Sequence, residues 1–241
     1  KAVQLIDQAV SSGAELVVFP EAFISAYPAW IWRLRPGGDW GTSEELHSRL
    51  LDSAVDIEAG DLKLLCDSAK KNKITVVCGL NERDSALSKA TLYNTVVIIG
   101  KEGDILNRHR KLMPTNPERM VWCFGDGSGL NVVDTPAGRV GTLLCWENYM
   151  PLARYTLYAQ GVEVYVAPTY DSGDEWLGTM QHIAREGRCW VLCSGVAITN
   201  SDIPNDFPDR ETLYPTSEEW INPGDSVVVA PGGEIVAGPM R

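Results

Sequence analysis

The chain has 241 residues, of which 44% are hydrophobic and 22% are charged, as in an ordinary globular protein with one large domain. It carries 32 acidic and 21 basic residues, a net charge of -11, without a long run of lysine or arginine. That balance argues against a surface that binds nucleic acid, because phosphate binding depends on clustered cations. No apolar stretch approaches the roughly 20 residues of a membrane-spanning helix, and the amphipathic opening does not resemble a signal peptide. We therefore expect neither a membrane protein nor a secreted one.

The six cysteines, at positions 66, 78, 123, 145, 189 and 193, do not show the spacing of a disulfide framework. A chain of this size can form its core without disulfides, so a reducing cytoplasm is the expected compartment. Cys189 and Cys193 form the closest pair, and they lie in the apolar run CWVLCSGVAI. We interpret them as core residues of a buried strand and not as zinc ligands.

The first half of the chain alternates helical and strand-like segments. Apolar residues recur at helical spacing over residues 2–10, and Gly13 stands where that helix would end, before the strand-like run LVVF. Residues 61–71 are predicted to form a helix, followed by the strand TVVCGL. YNTVVIIG and ILNRHRK, joined by KEGD, are predicted to form a hairpin.

The second half continues this pattern with more strands. RVGTLLC precedes a predicted helix over residues 151–160 that Gly161 closes, and EVYVAPT is strand-like. Asp174 is predicted to cap a helix that ends at Gly187, and the strands CWVLCSGVAI, DSVVVAP and EIVAGP follow. The pattern indicates a strand-rich α/β fold with helices covering packed sheets. We expect residues 1–241 to form one domain that is incomplete at both ends, because an opening helix that feeds a buried strand usually follows an earlier strand.

Residues 27–40, rich in proline, glycine and tryptophan, form the longest irregular stretch. Long loops in compact domains are usually functional, so we interpret this stretch as a loop that lines a pocket. The alternative is an ordered crossing of the surface.

Three reactive residues occupy equivalent places in the pattern. Glu21 follows LVVFP, Lys111 closes ILNRHRK, and Cys145 closes RVGTLLC, so each stands at the carboxyl end of a predicted strand. Such ends gather in space in α/β proteins, and the three side chains can converge in one crevice.

Cys145 has the strongest physical case for catalysis. A thiol at a strand-to-helix turn lies near backbone N–H groups and the positive end of a helix dipole, and both favour the thiolate. The N–H group of Trp146 could stabilise negative charge on a substrate atom. Taken alone, however, a cysteine is more often a small buried hydrophobic residue.

Two carboxylates and one lysine complete the candidate set. The apolar surroundings of Glu21 in FPEAFISAYP favour a raised pKa, as general acid-base work requires. Lys111 could stabilise negative charge. Glu118 lies seven residues after Lys111, and it could orient that lysine, transfer protons, or only pair with Arg119.

FPEAFISAYP, HRKLMPTNPERMVW and GTLLCWENYMPLARYTLYAQG together resemble the three sequence blocks of the nitrilase superfamily. Those blocks carry the glutamate, lysine and cysteine of its catalytic triad in this order, here Glu21, Lys111 and Cys145. The resemblance extends through YVAPTYDSGDEW and HIAREGRCWVL, and it implies a four-layer αββα sandwich. It also implies that the first strand and the C-terminal tail of the family pattern lie outside this sequence.

Within the superfamily, CWENYMPLAR is similar to true nitrilases, which hydrolyse a small organic nitrile to the carboxylic acid and ammonia without a metal or organic cofactor. The resemblance leaves alternatives: an amidase with the same triad, a cyanide-degrading relative, in which a histidine commonly stands in place of Asn148, or a non-catalytic binding member. The presence of all three triad residues disfavours the last alternative. We assign oxyanion stabilisation or substrate binding to Trp146, Tyr27 and Thr169.

The sequence says less about the identity of the substrate and the oligomeric state than about the catalytic residues. Five aromatic residues could supply pocket surface and weakly favour aromatic or arylaliphatic nitriles: Trp30, Trp32, Tyr170, Trp176 and Trp190. The resemblance implies a homodimer or larger homo-oligomer. The helix predicted over residues 151–160 could contribute Leu152, Tyr155 and Tyr158 to that interface, although a face packed on the chain's own sheet would look the same.

Overall fold

A computed structural model of the protein describes residues 1–35, 37–86, 88–215 and 220–240. The helices in these ranges are α1 (Ala2–Ser11), α2 (Trp40–Ser53), α3 (Lys63–Asn72), α4 (Pro151–Ala159), α5 (Asp174–Gly187) and α6 (Arg210–Leu213). The strands are β1 (Leu16–Val18), β2 (Thr75–Arg83), β3 (Leu92–Ile99), β4 (Ile105–Arg110), β5 (Val133–Thr135), β6 (Gly138–Thr142), β7 (Val164–Thr169), β8 (Trp190–Gly195), β9 (Ala197–Thr199), β10 (Trp220–Pro223), β11 (Ser226–Val229) and β12 (Ile235–Met240).

These strands form two main sheets and one small pair. The first sheet has the order β1-β2-β3-β4, in which β1 runs parallel to β2, and β3 is antiparallel to both of its neighbours. The predicted hairpin of β3 and β4 is therefore confirmed. The second sheet has the order β12-β11-β8-β7-β6-β5, with β6, β7 and β8 parallel, while β9 and β10 form an antiparallel pair.

The two main sheets pack face to face. Val77, Val96 and Ile98 of the first sheet share one apolar cluster with Val140 and Val166 of the second. Alternate residues of a strand point to opposite faces of the sheet. The neighbouring positions of the same strands therefore face outward, and their apolar side chains must be buried by another layer.

Helices supply that cover on both outer faces. One cluster packs residues of α1 and α3 against the outer face of the first sheet, and it includes Ile6, Leu65, Ala69, Val76 and Val97. Another packs residues of α4 and α5 against the second sheet, and it includes Leu157, Met180, Ile183, Tyr165 and Val191. The layers therefore follow the order αββα, and the predicted fold class is confirmed.

Two local predictions have clear outcomes. Cys189 and Cys193 are buried in the cluster beneath α5, as expected of core residues. The prediction that Asp174 caps α5 is wrong by one position: Gly173 is the N-cap residue, and Asp174 is the first helical residue. Gly173 has a φ of 96°, a left-handed conformation that favours glycine over aspartate at this point. Within the described ranges, no helix combines the length and the apolar character that crossing a bilayer demands.

Candidate active site

Glu21 lies on a turn that follows β1 and passes directly over β2. A side-chain carbon added at Gly79 of β2 would lie 2.3 Å from the carbonyl oxygen of Pro20, so only glycine permits this close approach. The turn continues into a bridge between Ile24 and Leu80. The Glu21 side chain is thereby directed inward, where it is fully buried.

The Glu21 carboxylate accepts three hydrogen bonds. Oε1 accepts from Lys111 Nζ at 2.9 Å and from Asn94 Nδ2 at 2.7 Å, and Oε2 accepts from the Tyr170 backbone N–H at 2.7 Å. Sequence reasoning missed Asn94 and the Tyr170 N–H. The available signal for Asn94 was an amide inside the otherwise apolar run of β3, since a buried polar side chain needs a partner.

Lys111 follows the last residue of β4, and its backbone N–H donates to Asn94 O at 2.8 Å. Its ammonium group is fully buried between two carboxylates, at 2.9 Å from Glu21 and 2.7 Å from Glu118. A buried charge is tolerated when it is paired and hydrogen-bonded, as this one is.

Glu118 belongs to a 3-10 turn, Asn116–Met120. Its Oε2 accepts from Lys111 Nζ and, at 2.6 Å, from the Thr115 N–H, while Oε1 accepts from the Tyr27 hydroxyl at 2.7 Å. Arg119 donates instead to the Pro114 carbonyl at 3.0 Å. Of the alternatives that the sequence left open, the Arg119 pair is therefore not formed, and Glu118 contacts the lysine.

Cys145 opens a 3-10 turn, Cys145–Tyr149, and α4 begins only at Pro151. Cys145 therefore lies in the turn between strand and helix, as expected, but a 3-10 turn separates it from the N-terminus of α4. Cys145 has a φ of 49°, a left-handed conformation that costs roughly 1–3 kcal/mol in a residue other than glycine. Asn148 holds this turn from within, because its Nδ2 donates to Cys145 O at 2.7 Å and its Oδ1 accepts from the Tyr165 hydroxyl at 2.7 Å.

Burial controls the protonation of the site. It raises the pKa of Glu21, although the charge of Lys111 opposes the shift. Burial and the charge of Glu21 raise the pKa of Cys145, against the opposing effect of Lys111. Burial therefore opposes the resting thiolate that the position of Cys145 in the turn was expected to favour. Burial alone would lower the pKa of Lys111, but the carboxylates of Glu21 and Glu118 raise it, so the lysine stays charged.

Cys145 and Glu118 open onto a cleft of about 440 Å³. Its walls are mainly aromatic and apolar, and they include Tyr27, Trp32, Trp146, Tyr170, Ile221 and Pro223. The Tyr27 and Tyr170 rings stack with centroids 3.9 Å apart, and Trp32 Nε1 donates to the Tyr27 hydroxyl at 3.0 Å. Tyr27 and Trp32 come from the irregular stretch of residues 27–40, of which Pro36 lies outside the described residues.

The remaining predicted residues lie in different surroundings. Trp146 is half exposed at the cleft, where its Nε1 donates to Asp171 Oδ2 at 2.8 Å. Thr169 is fully buried, and its hydroxyl forms a hydrogen bond that lowers the pKa of Cys145. Trp30 and Trp176 are buried in the core clusters, so they do not offer pocket surface. Trp190 opens β8 with an exposed side chain away from the cleft lining.

Comparison with known proteins identifies the class. The sequence pattern of the carbon-nitrogen hydrolase family matches residues 1–241. A bifunctional nitrilase/nitrile hydratase of Nicotiana tabacum is 42% identical to this chain over 246 residues, which cover 99% of the chain and 68% of the relative. An aliphatic nitrilase of Sinorhizobium fredii is 38% identical, with 99% of this chain and 76% of the relative covered. The chain belongs to the carbon-nitrogen hydrolase family.

Solved structures agree in fold. A carbon-nitrogen hydrolase from Helicobacter pylori aligns with 99% of this chain and 79% of its own length, at a TM-score of 0.70 and 19% identity. Nit3 of Saccharomyces cerevisiae, a member of branch 10 of the nitrilase superfamily, covers 100% of this chain and 79% of its own length, at a TM-score of 0.70 and 21% identity. The resemblance to the nitrilase superfamily and the expectation of a hydrolase acting on carbon-nitrogen bonds are confirmed.

Proposed function

We propose that this protein hydrolyses an organic nitrile to the carboxylic acid and ammonia, with Glu21, Lys111 and Cys145 as the catalytic residues. One observation carries the proposal: a buried lysine contacts two carboxylates beside a thiol at the base of an aromatic cleft. Relatives at about 40% identity that are named nitrilases support the nitrile over other carbon-nitrogen substrates.

The first step joins the Cys145 sulfur to the nitrile carbon. Glu21 accepts the thiol proton as the C–S bond forms and passes it to the nitrile nitrogen, which gives a covalent thioimidate and leaves Glu21 ionised. Transfer from the thiol to Glu21 suits the site, because burial raises the pKa of both groups. Lys111 and the Trp146 N–H stabilise the negative charge that develops on the substrate.

Water then completes the reaction. Glu21 removes a proton from a first water, which adds to the thioimidate carbon and gives a tetrahedral intermediate. Protonation of its nitrogen and cleavage of the C–N bond release ammonia and leave a thioester. A second water cleaves the C–S bond, which yields the acid and restores the thiol. The sum is one nitrile and two waters converted to one acid and one ammonia.

An amide is the alternative product of the same intermediate. If the C–S bond breaks before the C–N bond, the enzyme releases the amide after one water has been added. Glu118 faces the cleft and contacts Lys111, so its carboxylate is placed to favour a positively charged leaving nitrogen. Relatives named nitrilase/nitrile hydratase give this second outcome specific support.

The walls of the cleft favour aromatic or arylaliphatic nitriles. Trp32, Trp146 and Tyr170 offer flat apolar surface, and Ile221 and Pro223 add to it. Aromatic rings stack favourably on such walls.

We further propose a cytoplasmic homo-oligomer formed by this single domain, with α4 in the interface. Leu152 and Tyr155 are 80% and 66% exposed on one face of α4, which leaves apolar surface without cover. Tyr158 instead donates to Glu186 of α5 at 2.9 Å, so it contributes to packing within the chain. All six cysteines are free thiols, which fits a reducing compartment.

A panel of aromatic, arylaliphatic and aliphatic nitriles and their amides tests the function. Ammonia, acid and amide should be measured together for each substrate. The proposal predicts ammonia and acid from nitriles at a higher rate than from the matching amides. Turnover of amides alone would identify an amidase, and no turnover of any member would favour a binding protein.

A further inference from the structure

His109 and Glu147 form a buried pair next to the triad that the mechanism does not use. His109 is a residue of β4, two positions before Lys111, and Glu147 lies two positions after Cys145. Both side chains are fully buried. The imidazole Nε2 lies 3.0 Å from each oxygen of the Glu147 carboxylate.

The same carboxylate connects the two catalytic segments. Glu147 Oε1 accepts from the Leu112 N–H at 2.6 Å, and Oε2 accepts from the Leu144 N–H at 2.7 Å. Leu112 is the residue after Lys111, and Leu144 is the residue before Cys145. One side chain thus spans the gap between the strand end that carries the lysine and the turn that carries the nucleophile.

The Cys145 turn needs such a support. Its left-handed backbone persists only if the surroundings fix it, because relaxation would release roughly 1–3 kcal/mol. Leu144 directly precedes the strained residue Cys145. The hydrogen bond from the Leu144 N–H therefore restricts the movement of the backbone at the start of the turn. His109 Nε2 donates to the carboxylate, and this contact helps to keep both oxygens aimed at the two backbone groups.

We propose that His109 and Glu147 are positioning residues that hold the Cys145 turn and the Lys111 segment in fixed register. The inference rests on the proposed function, because it takes Cys145 as the nucleophile and Lys111 as its counter-charge. Loss of the pair lets the two segments move apart, and the thiol then loses part of the stabilisation that Lys111 gives to its ionised form. A displacement of about 1 Å between catalytic groups can cost roughly a hundredfold in rate.

The test is alkylation of Cys145 by iodoacetamide, which needs no substrate turnover. Glu147→Gln is nearly isosteric but places an NH2 group against one of the two backbone N–H donors. We expect alkylation at Cys145, followed by peptide mass spectrometry over a range of pH, to slow by about tenfold or more, with its pH profile displaced upward. Cys123, which is exposed, reports reagent reactivity in the same sample. With a nitrile substrate, kcat should fall and KM should change little.

A conservative exchange and a remote control separate positioning from stability. His109→Leu removes the donor, whereas His109→Gln places an amide nitrogen near the position of Nε2, so glutamine should restore much of the alkylation rate and leucine should not. Asp56→Asn is the control, because Asp56 is another buried carboxylate that accepts a backbone N–H, from Ala59, outside the cleft. It should lower the thermal midpoint without changing Cys145 reactivity.

Two outcomes distinguish this inference from the function on which it rests. If Glu147→Gln and His109→Leu lower the thermal midpoint but alkylate Cys145 with the wild-type pH profile, the pair is only structural and the inference is wrong. If wild type fails to turn over nitriles while the variants still slow alkylation, the proposed function is wrong and the positioning role stands.

Discussion

Lys111 shows how neighbouring charges outweigh burial in this site. Full removal from water disfavours the ammonium form, but two carboxylates within 3 Å raise the pKa of Lys111 instead. The charged lysine is therefore available to stabilise a negative substrate atom. The pKa of Glu21 is raised as well, but there burial is the cause: it outweighs the effect of the neighbouring lysine and favours the neutral carboxyl.

Glu21→Gln and Lys111→Met should each lower kcat by roughly a hundredfold or more, the scale expected for loss of a proton-transfer or charge-stabilising group. In wild type, the acid limb of the kcat/KM profile should lie above the usual carboxyl range near pH 4.5, since the pKa of Glu21 is raised and the base must be ionised. Glu21→Gln should remove that limb. The matched control is Lys101→Met at an exposed turn, and a similar loss of activity there would discredit the assignment.

Tyr27→Phe should change the product ratio more than the total rate. The phenol donates to Glu118, and burial with the charge of Glu118 raises the pKa of Tyr27, so the neutral hydroxyl remains a donor. Its loss leaves the Glu118 carboxylate less well oriented, and the amide fraction should rise by about twofold or more, in line with one hydrogen bond to a charged group. Glu118→Gln should act in the same direction.

Tyr170→Phe serves as the control for that measurement. It preserves the stacked rings and the backbone N–H that donates to Glu21, and it removes a hydroxyl from the same aromatic pair. An equal shift in the acid-to-amide ratio for both variants would contradict a specific role of the Tyr27 hydroxyl.

The sequence allowed prediction of the residue types but not of their environment. Strand ends and the family resemblance identified Glu21, Lys111 and Cys145, which the structure brings together with Glu118. The direction of the Cys145 shift was not predictable, because it depends on burial by distant segments. His109 and Glu147 were equally hidden, since each looks like an isolated polar residue until the fold pairs them.

At the scale of elements, the close crossing of the Glu21 turn over β2 fixes where that carboxylate can lie. Gly79→Ala should force the Pro20 carbonyl and the Glu21 turn outward, because the new carbon would lie 2.3 Å from the carbonyl oxygen. We expect a loss of about 1–3 kcal/mol in the free energy of unfolding, measured by urea denaturation, and reduced kcat.

Gly178→Ala should raise the stability of the protein, in contrast to the loss expected for Gly79→Ala. Gly178 is a helical residue of α5, and a side-chain carbon there meets open space. Alanine should stabilise the protein by about 0.5–1 kcal/mol through helix propensity. A loss of stability at Gly178 that equals the loss at Gly79 would show that the crossing is not specially constrained.

The spacing of apolar residues was enough to predict most helices and strands, but it failed where the conformation of a turn sets the start of an element. The apolar spacing of residues 2–10 and the hairpin of β3 and β4 were readable, because local pattern determines both. The start of α5 and the 3-10 turn at Cys145 could not be predicted in this way. Gly173 and Cys145 adopt a left-handed backbone conformation, which the spacing of apolar residues does not indicate.

At the scale of the molecule, two sheets separated widely in sequence meet to bring the site together. Glu21, Lys111 and Asn94 come from the first sheet and its loops, while Cys145 and Thr169 come from the second. Composition and periodicity allowed such a sandwich but could not select it, because the contact between sheets depends on long-range packing of the apolar strand faces.

Tyr155→Asp should convert the proposed oligomer to monomers and weaken activity. The substitution places a charge on the exposed apolar face of α4, which follows the nucleophile turn at Pro151. Light scattering would measure the mass, and Lys101→Met would serve again as the surface control. A Tyr155→Asp variant that keeps the wild-type mass and activity would exclude this face from the interface.

Covalent catalysis by Cys145 can be observed by intact and peptide mass spectrometry during turnover of a slow nitrile. If Cys145 is the nucleophile, wild type gains the mass of a thioimidate or acyl group on the peptide that contains Cys145, whereas Cys145→Ala folds but neither gains this mass nor releases ammonia. An adduct on Cys66, Cys78, Cys123, Cys189 or Cys193, or turnover by Cys145→Ala, would contradict it.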